Sequence, residues 1–174
     1  MTDMVSERAR RIAILLMDCD GVLTEGFICL LPDGTEFKAF NSQDGHGLKL
    51  AKRAGLRTGV ITGRRSTALE QRARETGIEF LCQAAGDKAR HLAELMTAHR
   101  LSPEAIAFIG DDLPDVPVME RVGLAVAVAN AVPEVKQAAH YITSRPGGRG
   151  AVREVIELIL KAQEKWNPEF LFLA

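Results

Sequence analysis

Ile12-Ala13-Ile14-Leu15-Leu16-Met17-Asp18-Cys19-Asp20-Gly21-Val22-Leu23-Thr24 is the stretch on which the fold of this chain turns. Its first half is an apolar run of buried-strand length, and the run ends abruptly in two carboxylates. Residues i and i+2 of a strand point to the same side, so Asp18 and Asp20 converge on one small volume just beyond the strand end. Two close carboxylates repel each other and need a metal ion, a bound proton or nearby cations to coexist. Gly21 permits the sharp exit that such a site requires.

Outward from this point, short β-rich apolar runs alternate with longer stretches of helical period. That is the pattern of an α/β fold, a parallel sheet with helices on both faces. Strands are expected at 12–17, 58–62, 79–81, 107–109 and 124–128, and helices at 47–54, 67–76, 89–99, 133–139 and 151–165. One insertion breaks the alternation after the first strand. Phe27–Leu31, Pro32-Asp33-Gly34 and Thr35–Phe40 read as a β-hairpin with Asp-Gly turn chemistry, projecting over the double-aspartate loop. Its apolar content exceeds what a lone ribbon comfortably exposes, which points to association through the hairpin. With 174 residues, no repeat and no linker, a single domain over 1–174 is expected, with the hairpin at 26–40 and a tail at 166–174.

Charged residues make up 26% of the chain and the net charge is −1, so no global field favours nucleic acid or an anionic membrane. No apolar stretch reaches the roughly 20 residues of a membrane span. Asp3 and Glu7 ahead of the first apolar run do not fit a signal peptide, so a cytoplasmic location is expected. Cys19, Cys29 and Cys82 show no CxxC pairing and read as free thiols.

Further chemistry-bearing residues fall at predicted strand ends or helix starts. Thr62-Gly63-Arg64-Arg65 follows the second strand and suits phosphate oxygens. Lys88 opens a helix, and Gly110-Asp111-Asp112-Leu113-Pro114-Asp115 follows the fourth strand. Carboxyl ends of neighbouring strands in an open α/β sheet share one crevice, so Asp18, Asp20, Thr62, Lys88 and Asp111 can meet there. Oxygen ligands without a local histidine or cysteine set point to Mg²⁺, with Lys88 balancing the remaining charge. A phosphate monoester dianion enters such a site only with both cations present. Asp18 is then suited to attack phosphorus, and Asp20 to protonate the leaving alkoxide and later deprotonate the hydrolytic water. Asp112 and Asp115 fit helix capping and support of the ligands as well as direct metal binding. Cysteine-phosphatase chemistry in a C-x5-R arrangement is excluded, because Glu25 follows Cys19 at that offset and Lys88 follows Cys82.

Asp18-Cys-Asp20-Gly-Val-Leu-Thr, Thr62-Gly-Arg, Lys88 and Gly110-Asp111-Asp112-x-x-Asp115 resemble, in order, the four motifs of the haloacid dehalogenase superfamily of phosphatases. Phe40-Asn41-Ser42-Gln43-Asp44-Gly45-His46-Gly47, Val122-Gly123-Leu124 and Gly147-Gly148-Arg149-Gly150-Ala151-Val152-Arg153-Glu154 further resemble the 3-deoxy-D-manno-octulosonate 8-phosphate phosphatases. The resemblance implies a Rossmann-like core without a large cap domain, Mg²⁺ dependence, and hydrolysis of that sugar-acid phosphate toward lipopolysaccharide. It also implies a homotetramer whose hairpins and C-terminal tails complete neighbouring sites. Carried over by position, the metal ligands are Asp18, the backbone carbonyl of Asp20 and Asp111, and the catalytic residues are Asp18, Asp20, Thr62 and Lys88. Substrate contacts fall on Asp20, Asn41, Ser42, Gln43, Asp44, Gly45, Lys49, Arg64, Arg72 and Lys88. Arg64 and Arg72 are eight residues apart, near two helical turns, so one helix side can present both to the sugar carboxylate. Asp44 could accept from sugar hydroxyls.

Two other readings stay open. One is a phosphatase for a nine-carbon nonulosonate 9-phosphate, although related enzymes of that kind often carry Glu after Thr-Gly, where Arg64 stands here. The other is a non-catalytic oligomerisation module, against which every catalytic position is filled. Arg65, Arg74 and Lys52 read as solvated helix charges, while His46 and Arg149 fit a place near the pocket as well as plain loop positions. The tail carries four large apolar residues among its last five, and suits docking on its own subunit or a neighbour's site.

Overall fold

Entry to the sheet is through a short helix, α1 (Asp3–Arg10), followed by β1 (Ile14–Met17), all of whose side chains are buried. The structure is a computed structural model that describes residues 3–167. After the double-aspartate loop, β2 (Cys29–Leu30) and β3 (Glu36–Phe37) pair antiparallel, with Cys29 opposite Phe37 and Leu30 opposite Glu36. The hairpin exists as expected but its ladder is short. Its turn uses the anticipated chemistry: Thr35 N donates to Asp33 Oδ1, and Gly34 sits at φ +82°.

Helix α2 (Ser42–Arg53) starts five residues ahead of the expected 47. Asn41 caps it, accepting from the amides of Gln43 and Asp44, whereas the apolar period that signals a helix begins only at Leu48. Next come β4 (Arg57–Ile61), α3 (Thr67–Thr76), β5 (Phe80–Cys82), α4 (Lys88–His99), β6 (Ile106–Gly110) and α5 (Val116–Met119). β7 (Leu124–Ala127), α6 (Pro133–Ala138), β8 (Tyr141–Ile142) and α7 (Ala151–Ala162) follow. The five expected strands form within a residue or two of their anticipated bounds. α1, α5 and β8 are additions, the last two being too short to carry a period.

Six parallel strands run in the order β5-β4-β1-β6-β7-β8. The chain builds outward from β1 to β4 and β5, then returns to β6 and builds the other way. Right-handed crossovers therefore put α2 and α3 on one face and α4, α5 and α6 on the other. α7 packs against α2 and α1 on the first face. The central strands β1, β6 and β7 are fully buried, which is why each reads as an unbroken apolar run. The direction of winding reverses between β1 and β6, and this switch point is where the carboxyl ends of an open sheet part to leave a crevice. Between β4 and α4 stand only α3 and β5, and no cap domain occurs among the described residues. The expected docking of the tail lies outside the described residues beyond Asn167, although Trp166 is partly buried with the Arg153 guanidinium 5.1 Å from its ring.

Candidate active site

Asp18 and Asp20 leave β1, and Asp111 leaves β6, at the switch point. A cleft of about 800 Å³ opens there, lined by Asp18, Asp20, Thr62, Arg64, Lys88 and Asp111 among others. Carboxylate oxygens of Asp18, Asp111 and Asp115 lie within 4.8 Å of one another. Gly21 is needed on two grounds. Its φ is +95°, and a Cβ there would stand 1.9 Å from Asp111 Oδ2.

Lys88 Nζ lies 3.0 Å from Asp18 Oδ1 and 2.7 Å from Asp115 Oδ1. Burial alone would pull this ammonium down, but Asp18 and Asp115 outweigh it and hold Lys88 above its ordinary value. One ammonium does not neutralise three carboxylates. Burial, then the Asp115 charge, pushes Asp18 up to about 6; burial, then Asp18 and Asp115, pushes Asp111 up to about 7. Asp111 Oδ1 is buried and accepts no hydrogen bond among the described residues, and the buried Asp18 Oδ1 has beside it the Lys88 ammonium, which it shares with Asp115. Asp115 is different: its Oδ1 accepts from Lys88 and its Oδ2 from the amides of Asp111 and Asp112. Asp112 accepts from Leu113 N and caps the turn 113–115. An oxygen-seeking divalent cation thus fits between Asp18 and Asp111, whose carboxylates one shared ammonium leaves under-neutralised, while Asp115 fixes Lys88 and the loop around them.

Asp20 belongs to a second charge cluster, to which the sequence reading assigned no residue of the hairpin. Its Oδ1 accepts from Lys38 Nζ, which also lies 3.4 Å from Glu36 Oε1. Arg64 closes the ring, donating to Glu36 Oε1 at 3.0 Å with its Nε 3.7 Å from Asp20 Oδ2. Two-residue alternation was the available signal: Glu36 and Lys38 flank Phe37, so both turn inward where Phe37 turns out. The Lys38 side chain is 1% exposed.

Thr62 is buried at the cleft wall and, like Arg64 and Lys88, is where the sequence reading expected it. The shared helix side for Arg64 and Arg72 does not form, because Ser66 caps α3 and Arg64 sits in the loop before it. Arg72 instead reaches the start of α2, donating to Asn41 O at 3.0 Å. It lies over Gly45, where a Cβ would come within 1.9 Å of its Nη2. Asp44 is buried, with Oδ2 accepting from Gly150 N at 3.1 Å and Oδ1 from Arg153 N at 2.8 Å. Both oxygens are therefore committed to the start of α7, and the expected contact with sugar hydroxyls is not open to Asp44 in this arrangement. Ser42, Gln43, His46 and Lys49 are exposed and, with Asn41, Gly45 and Arg72, stand outside the cleft of this chain. Arg149 is exposed and pairs with Glu25 at 2.9 Å. Cys19 is a packing residue whose thiol burial pushes well up.

A family described as haloacid dehalogenase-like hydrolase matches residues 74–156. The Yersinia pestis protein named 3-deoxy-D-manno-octulosonate 8-phosphate phosphatase KdsC is 47% identical over 165 residues, covering 95% of this chain and 88% of that one. Its crystal structure superposes with a TM-score of 0.93, covering 95% and 89% of the two chains. The phosphatase of the same name from Moraxella catarrhalis, solved with magnesium, phosphate and KDO, is 38% identical with a TM-score of 0.96 and covers 100% of both chains. Matches of this identity over nearly the whole length decide the matter: the chain belongs to the haloacid dehalogenase-like hydrolases and, within them, to the 3-deoxy-D-manno-octulosonate 8-phosphate phosphatase family.

Proposed function

We propose that this protein hydrolyses 3-deoxy-D-manno-octulosonate 8-phosphate to the free sugar acid and inorganic phosphate through a phosphoaspartate, a step toward lipopolysaccharide. The observation that carries the reading is the convergence of Asp18, Asp20, Lys88 and Asp111 at one switch point. A relative carrying the same name was solved with magnesium, phosphate and KDO, which supports Mg²⁺ as the cofactor. Asp18, Asp111 and the backbone carbonyl of Asp20 would hold the ion. When bound, Mg²⁺ neutralises the carboxylates and draws charge from the phosphoryl oxygens.

Asp18 attacks phosphorus in line as the nucleophile. Asp20 gives its proton to the leaving alkoxide, then takes one from the water that cleaves the acyl phosphate. Lys88 and Thr62 face the phosphoryl oxygens, so catalysis is mainly electrostatic. Asp115 acts through Lys88. Arg64, exposed at the cleft rim, suits the sugar carboxylate.

Asn41, Ser42, Gln43, Gly45, Lys49 and Arg72 lie beyond the cleft of their own chain, and their substrate role belongs with assembly. Phe27 and Phe37 are 73% and 58% exposed on the hairpin, joined by Leu30 and Leu31, which supports association through this arm; the family resemblance makes that assembly a homotetramer whose hairpins meet neighbouring sites. The chain is read as a single phosphatase domain acting in the cytoplasm, and no described helix is long and apolar enough to cross a membrane.

Steady-state phosphate release with Mg²⁺, from the octulosonate 8-phosphate and from a nonulosonate 9-phosphate, tests the assignment. The eight-carbon substrate should have the higher kcat/KM, and Asp18→Asn should abolish release. A clear preference for the nine-carbon phosphate would overturn the substrate, and no release from any sugar phosphate would favour a non-catalytic role.

A further inference from the structure

We propose that Lys38 is the positioning residue for the acid–base carboxylate of Asp20, an inference that rests on the role given to Asp20 above. Enclosing an ammonium is unfavourable unless it is paired and hydrogen-bonded. Lys38 is enclosed on the hairpin arm, and its partners are a carboxylate of the catalytic loop and one from the strand just before it, Asp20 and Glu36. The two oxygens of Asp20 have different surroundings. Oδ1 accepts from Lys38, while among the described residues the cation nearest Oδ2 is the Arg64 Nε at 3.7 Å, beyond hydrogen-bond reach. A carboxylate held at one oxygen cannot turn freely about its terminal torsion, which is otherwise broad. Proton transfer therefore falls to Oδ2. Glu36 anchors the arrangement from behind, since it engages both Lys38 and Arg64.

In the first half-reaction the Asp18–phosphorus bond forms and the bond from phosphorus to the ester oxygen breaks, with the Oδ2 proton passing to the departing alkoxide. In the second, water attacks phosphorus, the Asp18–phosphorus bond breaks, and the water proton returns to Oδ2. Only a poor leaving group needs that first proton. An alkoxide does, and p-nitrophenolate does not.

Lys38→Met preserves side-chain length without the hydrogen bond. It should lower kcat/KM, which covers only the steps through leaving-group departure, about 100-fold for the octulosonate 8-phosphate, within the range for acid–base catalysis, and less than about fivefold for p-nitrophenyl phosphate. KM for the octulosonate 8-phosphate should stay within about threefold, and Lys38→Arg should recover part of the loss. In an Asp20→Asn background, Lys38→Met should add little, because the two residues act as one unit. Equal losses of kcat/KM on both substrates would overturn the proposal. So would a raised KM at unchanged kcat, which marks a substrate contact, or losses that multiply in the double variant. If Lys38→Met does not fold, Lys38→Leu, also without a donor, carries the same comparison. If the unmodified enzyme ignores the octulosonate but cleaves another alkyl phosphate, the substrate assignment fails and the Lys38 ratio is read on that ester. Absence of turnover on every phosphate ester overturns both.

Discussion

Asp44→Ala should destabilise the fold far more than it impairs turnover. The carboxylate belongs to α2 yet caps α7, whose own cap position is Gly150, at φ +99° with no side chain to offer. Losing an N-cap costs about 1 kcal/mol, with a range of about 0.5–2. Here the cost is larger, because the amides of both Gly150 and Arg153 lose their acceptor where little water can replace it, at about 1–3 kcal/mol for each unsatisfied donor. Against this, burial pushes the Asp44 carboxyl above its ordinary value despite those two hydrogen bonds, so keeping it ionised already costs something. The net loss should be about 2–4 kcal/mol. At about 2–4 °C per kcal/mol for a chain of this size, Tm should fall by about 5–15 °C. Calorimetry on both proteins, with steady-state kinetics well below either Tm, separates the roles. An unchanged Tm together with a KM raised more than about tenfold would refute the capping argument and return Asp44 to the sugar.

Metal and pH are linked through Asp18 and Asp111. Their carboxyls are pushed up to about 6 and about 7 from an ordinary 3.8, so between about pH 4 and 7 the metal-free native state binds more protons than the unfolded chain. These two groups then make metal-free stability fall as pH rises through that window. Mg²⁺ should raise Tm more at pH 8 than at pH 5.5, and an equal rise at both would contradict the linkage. Asp115→Asn should weaken Mg²⁺ affinity or activity by about 10–100-fold, because Lys88 and the Asp111 loop lose their common anchor; an unchanged Mg²⁺ titration and kcat would show that Asp115 is dispensable. Gly147→Ala should damage kcat and stability together, since its Cβ would meet Gly21 O at 1.6 Å and displace the catalytic loop, whereas Gly86→Ala, with open space around it, should melt normally.

Asp18, Thr62, Lys88 and Asp111 could be read from sequence because each stands at the end of an apolar run or the start of a helix, and a parallel sheet gathers such ends at one edge. The onset of α2 could not, because Gly45 and Gly47 interrupt its apolar period and only the Asn41 cap announces it. Arg64 and Arg72 mislead for a related reason: their spacing suits a helix, but the Ser66 cap lies between them and puts Arg64 outside it. Asp44 and Lys38 were hidden more deeply. Asp44 acts on a helix 106 residues away, and Lys38 reaches an aspartate across the catalytic loop, contacts that no local period encodes.

The hairpin shows what such contacts add. Strand alternation gives β3 two unlike faces, with Phe37 outward at 58% exposure and Glu36 and Lys38 inward on the Arg64–Asp20 cluster. An isolated two-stranded ribbon is marginal, and this one has only two paired residues on each strand. What keeps it on the cleft is therefore the inward charge cluster, not its own ladder. A surface that covers Phe27, Leu30 and Phe37 bears on the same short arm that holds Asp20 Oδ1. Assembly through the apolar face and orientation of the acid–base carboxylate are in this way properties of one element, and a substitution at Phe37 should register at Asp20 even though the two side chains face opposite ways.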